Sequence, residues 1–393
     1  MAATTIGVYR ETASDERRVA LVPELISTVN AIGLDVMVEG GAGVAAWFPD
    51  DDYARAGADI VPRDALFRHA DILIGIHAPN VAFPDPLQNG QTLVALLRPT
   101  RIPFLIRHWA DEGLTAISLD LVPHASSAAY YPVDAGASQA RIAGYRAVLL
   151  AAGLLSRCLP PWGSAAAVFE PVRVLVVGAG AAGLQAIDTA RRLGALVHAH
   201  DLRRHPQEEI TALGGTFLDL PDLWTAVDDV DFARALDTNQ AALRRGLSEV
   251  LPRFDIVITT VEPVEPPGRP APPLITTRAI RTMRPGSVVV DVTAGPAGGN
   301  VEAVEPDTTA LVGDEHITVV GAGNLPSQVP TTASTAYAHN VAELLERLMH
   351  GGSLMIDLND PLQAAIVVTH HGSVLHAPTR QLILDATAVA GLP

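Results

Sequence analysis

Lysine is missing from this 393-residue chain, so arginine supplies all 27 basic side chains. Without a lysine amine, Schiff-base catalysis and lysine acid–base chemistry are excluded. Cysteine is nearly as scarce, because Cys158 is the only one, and neither an internal disulfide nor a cluster of thiolate ligands can form. Cys158 lies in the apolar stretch 149–159, and we expect it to be a small core residue.

Charged residues are also few, at 18% of the chain, and the excess of acidic ones gives a net charge of −16. An acidic protein repels nucleic acids and anionic membranes, so the sequence argues against both as direct partners. Apolar runs are interrupted well before the roughly 18 residues that a membrane span needs. The N-terminus lacks the basic-then-apolar pattern of a signal peptide. We therefore expect a cytoplasmic protein.

Hydrophobic residues make up 48% of the chain, and short apolar runs alternate with helix-like segments. This alternation predicts an α/β fold of doubly wound parallel sheets covered by helices. The predicted elements of the N-terminal region are strand 5–9, helix 23–32, strand 35–38, helix 64–69, and strands 72–76, 92–96 and 115–121.

The remainder of the chain repeats the α/β pattern after a long helix predicted over residues 138–159. The proline-containing segment Pro160–Ser164 is the predicted hinge. Segment 219–253 is helical and acidic without a clear core pattern, and a mobile flap and a solvated pair of helices both fit it. Later elements are predicted as strands 256–260, 287–292 and 316–320, a returning helix 332–350, and closing segments 354–357 and 364–368.

One motif organises the region that follows the hinge: Gly178-Ala-Gly180-Ala-Ala-Gly183, between the β-branched strand Val174–Val177 and an apolar-periodic helix. In such a turn the first glycine allows the bend, the second admits a pyrophosphate, and the third lets helix and strand pack closely. A second strand, Leu196–His200, ends at Asp201, 18 residues beyond Gly183. A carboxylate there can accept hydrogen bonds from the adenosine ribose. The sequence therefore predicts dinucleotide binding, with NAD favoured over NADP.

Further motifs extend along nearly the whole chain: DERRVALVP (15–23), GYRAV (144–148), GRPAPPLIT (268–276), GSVVVD (286–291), GGN (298–300), LPSQVP (325–330) and THHG (369–372). With the glycine turn, they resemble the soluble NAD(H)-binding domain, or alpha subunit, of proton-translocating nicotinamide nucleotide transhydrogenases. Alanine dehydrogenase is a structural relative of that family.

The resemblance implies two Rossmann-like, doubly wound parallel-sheet subdomains with an NAD cleft between them, and a homodimer. The first would cover residues 1–137, completed by 331–393, and the second residues 138–330. Hydride would pass between NAD(H) on this chain and NADP(H) on a partner subunit, coupled to proton movement through a membrane subunit. The chain would be the soluble subunit of a split enzyme, in contact with the inner membrane through its partners. The implied cofactor-binding residues are Gly178, Gly180, Ala182, Gly183, Asp201, Arg203, Thr260, Gly299 and Asn300.

In this family a loop that corresponds to residues 123–139 aligns the nicotinamide. The resemblance assigns this catalytic positioning to four residues, His124, Asp134, Ser138 and Gln139. The loop is two residues longer than the family pattern, His124 replaces an arginine, Tyr131 falls at a glutamine position and Ala137 at a serine position. Because an imidazole has fewer donors than a guanidinium, we expect a weaker clamp on the nicotinamide.

Two other functions stay open. A stand-alone NAD-dependent dehydrogenase of the alanine dehydrogenase superfamily would act on a small substrate, and Arg18 matches the substrate-binding arginine of those enzymes. Their lysine has no counterpart in a chain without lysine. His77, after strand 72–76, is a candidate for such a role. A non-enzymatic NAD(H)-responsive protein would also fit an intact glycine turn beside an altered nicotinamide loop. His370 and His371 lack metal-ligand spacing, so no metal site is predicted.

Overall fold

The computed structural model describes residues 4–79, 87–123, 132–163, 168–203, 206–220, 223, 232–262, 272–295, 298–302, 304–314 and 316–390. The chain divides into two compact units, Met1–Gln139 with Ser327–Pro393, and Ala140–Pro326. The predicted hinge Pro160–Ser164 lies inside the second unit, whereas the division falls after Gln139, near the start of a long helix. Strands and helices are numbered below in chain order through both units.

The first unit is built on one sheet. Its strands are β1 (Thr4–Val8), β2 (Leu34–Glu39), β3 (Asp59–Val61), β4 (Ile72–His77), β5 (Thr92–Leu96), β6 (Thr115–Ser118), β18 (Val367–His370) and β19 (Ser373–Val374). Among the described residues these eight strands follow the order β19-β18-β6-β5-β4-β1-β2-β3, and β1 to β6 are parallel. The strand order reverses between β1 and β4, where ligands bind in open α/β sheets.

Helices cover both faces of this sheet because its central strands are apolar; all five residues of β5, for example, are buried. They are α1 (Pro23–Ala31), α2 (Asp50–Ala56), α3 (Arg63–His69), α4 (Pro103–Asp111), α10 (Pro330–Leu348), α11 (Pro361–Ile366) and α12 (Ala377–Ala390). A separate ribbon pairs β16 (Met349–His350) with β17 (Ser353–Leu354). The strand predicted over 115–121 ends at Ser118, and Leu119–Leu121 form a 3₁₀ turn.

The second unit contains a seven-stranded sheet within the described residues. Its strands are β9 (Arg173–Val177), β10 (Leu196–His200), β11 (Thr216–Phe217), β12 (Ile256–Thr259), β13 (Val288–Asp291), β14 (Thr309–Val312) and β15 (Ile317–Gly321). They follow the order β11-β10-β9-β12-β13-β15-β14, and only β14 is antiparallel to its neighbour. The order reverses between β9 and β12. The predicted α/β class with doubly wound sheets is confirmed.

The division after Gln139 falls within helix α5 (Ala135–Leu154), most of which belongs to this unit. The other helices of this unit are α6 (Ala181–Arg192), α7 (Pro206–Ala212), α8 (Phe232–Val250) and α9 (Thr277–Ile280). A two-stranded ribbon pairs β7 (Trp162–Gly163) with β8 (Val168–Phe169). Helix α5 begins earlier than predicted because Asp134 Oδ1 accepts a hydrogen bond from the Ala137 amide, 2.8 Å away, and so caps its first turn.

Two expectations are wrong. Segment 219–253 is expected from its sequence to lack a core pattern, yet Leu236, Leu243 and Leu247 on α8 are buried at helical spacing. Leucines at i, i+7 and i+11 with charged residues between them are typical of an amphipathic helix with one buried face. Residues 221–222 and 224–231 lie outside the described segments of the chain. Cys158 is exposed rather than buried, because α5 ends at Leu154 and leaves this cysteine in the following loop.

Candidate functional site

The glycine turn lies between β9 and α6, at the edge of the sheet where the strand order reverses. Gly178 has a φ of +95°, which L side chains rarely adopt. At Gly183 an added Cβ would stand 1.9 Å from the carbonyl oxygen of Gly178, so the helix approaches the turn too closely for any side chain. These two glycines are therefore required by the fold itself.

Gly180 has a different environment. Its backbone is extended, with φ −75° and ψ −167°, which any residue can adopt. An added Cβ would have as its nearest neighbour Arg203 Nη2, at 3.9 Å, so the protein leaves the space above Gly180 open. Gly180 is also the N-cap of α6, and the first amides of a helix have no intrahelical acceptor. Such an open cradle at a helix N-terminus fits the pyrophosphate of a dinucleotide.

Thr260 and Ala182 hold this turn in place. The Thr260 hydroxyl donates to the Gly178 carbonyl over 3.0 Å, and the Thr260 amide donates to the Val177 carbonyl over 2.8 Å. The carbonyl oxygen of Ala182 would stand 2.0 Å from a Cβ on Gly144, so α5 packs directly on the start of α6. Both contacts fix the position of the α6 N-terminus relative to the sheet.

Asp201 follows β10 and lies beside the turn, because Val177 pairs with His200 in the parallel register. The whole residue is only 3% exposed. Oδ2 accepts from the Ala179 amide at 2.7 Å, and Oδ1 accepts from the Arg203 amide at 2.8 Å. The Arg203 guanidinium donates to both oxygens. Burial alone would raise the pKa of Asp201, but the hydrogen bonds from Arg203 and Ala179 outweigh it and hold the pKa below its usual value.

Gly299 and Asn300 belong to a loop that is fixed by Asp291 at the end of β13. Asp291 is fully buried; its Oδ2 accepts from the Asn300 amide at 2.6 Å, and its Oδ1 accepts from the Thr259 hydroxyl at 3.0 Å. The Asn300 side chain donates to the Val261 carbonyl over 2.8 Å. Sequence reasoning missed Asp291 as a site residue, although a buried apolar run ending in an acid is a visible signal.

The residues predicted to position the nicotinamide lie in the first unit, around the start of α5. Ser138 Oγ is 2.7 Å from Asn340 Oδ1, and Gln139 Nε2 donates to the Ala333 carbonyl over 3.0 Å, so both contact α10. Asp134 is the helix cap described above. His124 lies outside the described residues. The structure thus brings Asp134, Ser138 and Gln139 together, each with hydrogen bonds inside the protein.

A buried polar cluster occupies the edge of the first sheet where its strand order reverses. Glu16 accepts from Arg18 Nε at 2.7 Å and Nη2 at 2.5 Å, and its Oε2 lies 2.9 Å from His77 Nε2. Arg18 Nη1 donates to Gln139 over 2.8 Å. Burial would raise the pKa of Glu16, but the hydrogen bonds from Arg18 and His77 dominate and lower it well below its usual value.

Glu11 is a second acidic residue of this edge. Its Oε1 accepts from the Ile76 amide at 2.6 Å and from the His77 amide at 3.3 Å. Burial raises the pKa of Glu11 from 4.5 to about 7, partly offset by His77. The sequence signals for this cluster are Arg18 and His77; Glu11 and Glu16 are missed because only the fold brings these distant positions together.

Comparison with known proteins gives matches over both units of the chain. Residues 7–143 match the family described as alanine dehydrogenase/PNT, N-terminal domain, and residues 147–377 match its C-terminal domain. The NAD(P) transhydrogenase subunit alpha of Cereibacter sphaeroides is 36% identical over 95% of this chain and 71% of that protein. A shorter relative from Rhodospirillum rubrum, named as the first portion of an NAD(P) transhydrogenase subunit alpha, is 34% identical over 94% of this chain and 97% of its own length.

Two solved structures are also similar. A transhydrogenase from Sinorhizobium meliloti matches with a TM-score of 0.79 and 33% identity, covering 94% of this chain and 99% of the other. An L-alanine dehydrogenase matches with a TM-score of 0.75 and 26% identity, covering 97% and 99%. These findings confirm the resemblance predicted from the sequence motifs. Within the described residues, no helix is both long and apolar enough to cross a membrane.

Proposed function

Because this chain belongs to the alanine dehydrogenase/PNT family, we propose that it is the NAD(H)-binding alpha subunit of a split proton-translocating NAD(P) transhydrogenase. In this role hydride passes between NAD(H) on this chain and NADP(H) on a partner subunit. The observation that carries the proposal is the open cradle above Gly180, at the N-terminus of α6 and beside the acidic residue Asp201.

The chain's own residues bind and orient the cofactor. The amides at the start of α6 hold the pyrophosphate, and Asp201 accepts hydrogen bonds from the adenosine ribose. Thr260 fixes the turn, and Asp291 fixes the loop that carries Gly299 and Asn300. The bound nicotinamide supplies the hydride chemistry.

The loop that ends at Gln139 positions the nicotinamide, with His124, Asp134 and Ser138 as the other contributing residues. Hydride exchange between two nicotinamide rings requires no side chain to accept a proton, so these residues act by alignment. Ser138 and Gln139 are suited to this because their hydrogen bonds to α10 and to Arg18 restrict their conformations.

A homodimer is included in the same proposal. The β7–β8 ribbon supports it, since Trp162, Val168 and Phe169 are 61%, 84% and 58% exposed in the isolated chain. Apolar residues clustered on an exposed ribbon are typical of a surface that is covered by another protein. The membrane-embedded and NADP-binding subunits are the other proposed partners.

The proposal is tested by measuring hydride transfer from NADH to an NADP analogue. The purified chain alone should bind NADH and give no transfer, and addition of membrane and NADP-binding components should produce it. Binding of NADH without transfer under both conditions would contradict the transhydrogenase role and would instead support an NAD(H)-responsive binding protein.

A stand-alone dehydrogenase acting on a small substrate is the second candidate. It is favoured by the cluster of Glu16, Arg18 and His77, a buried arginine and an imidazole at the ligand-binding edge of the first sheet. This function predicts NAD(H)-dependent turnover of a small oxo acid or amino acid by the chain alone. Such turnover would overturn the transhydrogenase proposal.

A further inference from the structure

The carboxylate of Asp201 has no acceptor site left for a ribose hydroxyl. Oδ1 accepts from the Arg203 amide at 2.8 Å and from Arg203 Nε at 3.0 Å. Oδ2 accepts from the Ala179 amide at 2.7 Å and from Arg203 Nη2 at 2.9 Å. Since a carboxylate offers about four lone-pair sites, these four donors fill them.

Two of these four donors can move away from the Asp201 carboxylate, and the other two are fixed in the backbone. The amides of Ala179 and Arg203 belong to the backbone that forms the site. Nε and Nη2 belong to the Arg203 side chain, which is 23% exposed, whereas the Asp201 side chain is 2% exposed. The ribose can therefore reach Asp201 only if the guanidinium moves away from it.

The displaced guanidinium would stay close to the bound nucleotide. Nη2 already lies 3.9 Å from the place of a Cβ on Gly180, so the group lies between the phosphate cradle and the ribose acceptor. A bare carboxylate at this position would repel a 2′-phosphate, because like charges would meet. An arginine beside it offers the planar donors that bind phosphate well.

We propose that Arg203 sets the specificity of this chain for the ribose 2′ position. It competes with the ribose hydroxyls of NAD(H) for Asp201, and it supplies a cation to the 2′-phosphate of NADP(H). The chain consequently discriminates between the two nucleotides less than Asp201 alone would allow. This inference rests on the proposed binding of NAD(H).

The test compares dissociation constants of NADH and NADPH, measured by fluorescence titration at fixed ionic strength. Arg203→Met removes the side-chain donors and keeps an unbranched chain. We expect NADH to bind about 5-fold more tightly, because two acceptor sites are freed, and NADPH to bind at least about 10-fold more weakly. Arg192→Met is the matched control, since exposed Arg192 pairs with Asp188 on α6; both constants should stay within about 2-fold.

Arg203→Lys separates charge from geometry and guards against misfolding of the methionine variant. A lysine keeps the cation but not the two-pronged donor, so NADPH binding should fall less than in Arg203→Met while NADH binding still tightens. If the Arg203 variants bind NADH and NADPH more weakly by the same factor, or if the ratio of the two dissociation constants stays unchanged, the inference is overturned. Failure of the wild-type protein to bind NADH would instead overturn the proposed function.

Discussion

A substitution at Gly180 should weaken NADH binding without lowering the stability of the fold. The substitution Gly180→Ala adds one methyl group in an extended conformation that alanine adopts freely, with 3.9 Å to its nearest neighbour. Replacing glycine by alanine at a compatible position stabilises a protein by about 0.4–1 kcal/mol, because the unfolded chain loses freedom. We therefore expect the free energy of unfolding to stay unchanged or to rise slightly.

NADH binding should respond in the opposite direction. The methyl group projects into the cradle and holds the pyrophosphate away from the α6 amides, which removes charge-assisted hydrogen bonds. Loss of one or two such bonds costs about 2–4 kcal/mol, or about 30- to 1000-fold in the dissociation constant. The measurements are NADH titration and denaturant unfolding of the same preparations.

Two other glycines serve as controls. Gly183→Ala places a Cβ 1.9 Å from the Gly178 carbonyl and should destabilise the fold by about 1–3 kcal/mol. Gly153→Ala lies in α5, where a Cβ meets nothing within 4 Å, and should leave NADH binding unchanged. Wild-type NADH affinity in Gly180→Ala would refute the assignment of the cradle, and a large loss of stability would refute the claim that the space is open.

Three further predictions concern the surroundings of the sites. The pKa of Glu11, raised by burial from 4.5 to about 7, means that its contribution to stability is present below about pH 4.5 and is lost as the pH rises through 7. Glu11→Gln keeps the hydrogen-bond acceptor but cannot ionise, so the free energy of unfolding should fall by up to about 3 kcal/mol less between pH 4.5 and 7 than in the wild type. The same dependence of unfolding free energy on pH in both proteins would contradict this. Trp162→Glu should shift the protein from dimer to monomer in light scattering with NADH binding unchanged, and an unaltered mass would exclude the ribbon as the interface. Asp291→Asn turns an amide donor toward the donors around it and should cost about 2–4 kcal/mol in denaturant unfolding, whereas wild-type stability would show that these hydrogen bonds are unimportant.

The fold class and the glycine turn could be predicted from the sequence because both are local signals. Strands such as β5 are short apolar runs between breakers, and the order of strand, glycines, helix, strand and acid is specific. The buried face of α8 is overlooked because the acidic residues of the wider segment 219–253 suggest exposed helices, although its leucines follow helical spacing. Cys158 is misplaced because the end of α5 carries no strong stop signal.

The candidate sites were predictable only in part. Asp201 can be identified, but its saturation by Arg203 depends on a side-chain conformation that no motif encodes. The cluster of Glu16, His77 and Gln139 joins positions far apart in the chain, so only the strand order of the first sheet brings them together. His124, the main departure of the nicotinamide loop, lies outside the described residues, and its role stays a prediction.

In the proposed function this chain binds NAD(H) and passes hydride to NADP(H) only through partner subunits. The most direct measurement is reduction of an NADP analogue by NADH, with and without the membrane and NADP-binding components. We predict no transfer by the chain alone and transfer in the reconstituted complex that is lost in Gly180→Ala. Turnover of a small oxo acid or amino acid by the chain alone, or no transfer in the complete complex despite NADH binding, would contradict the proposed transhydrogenase function.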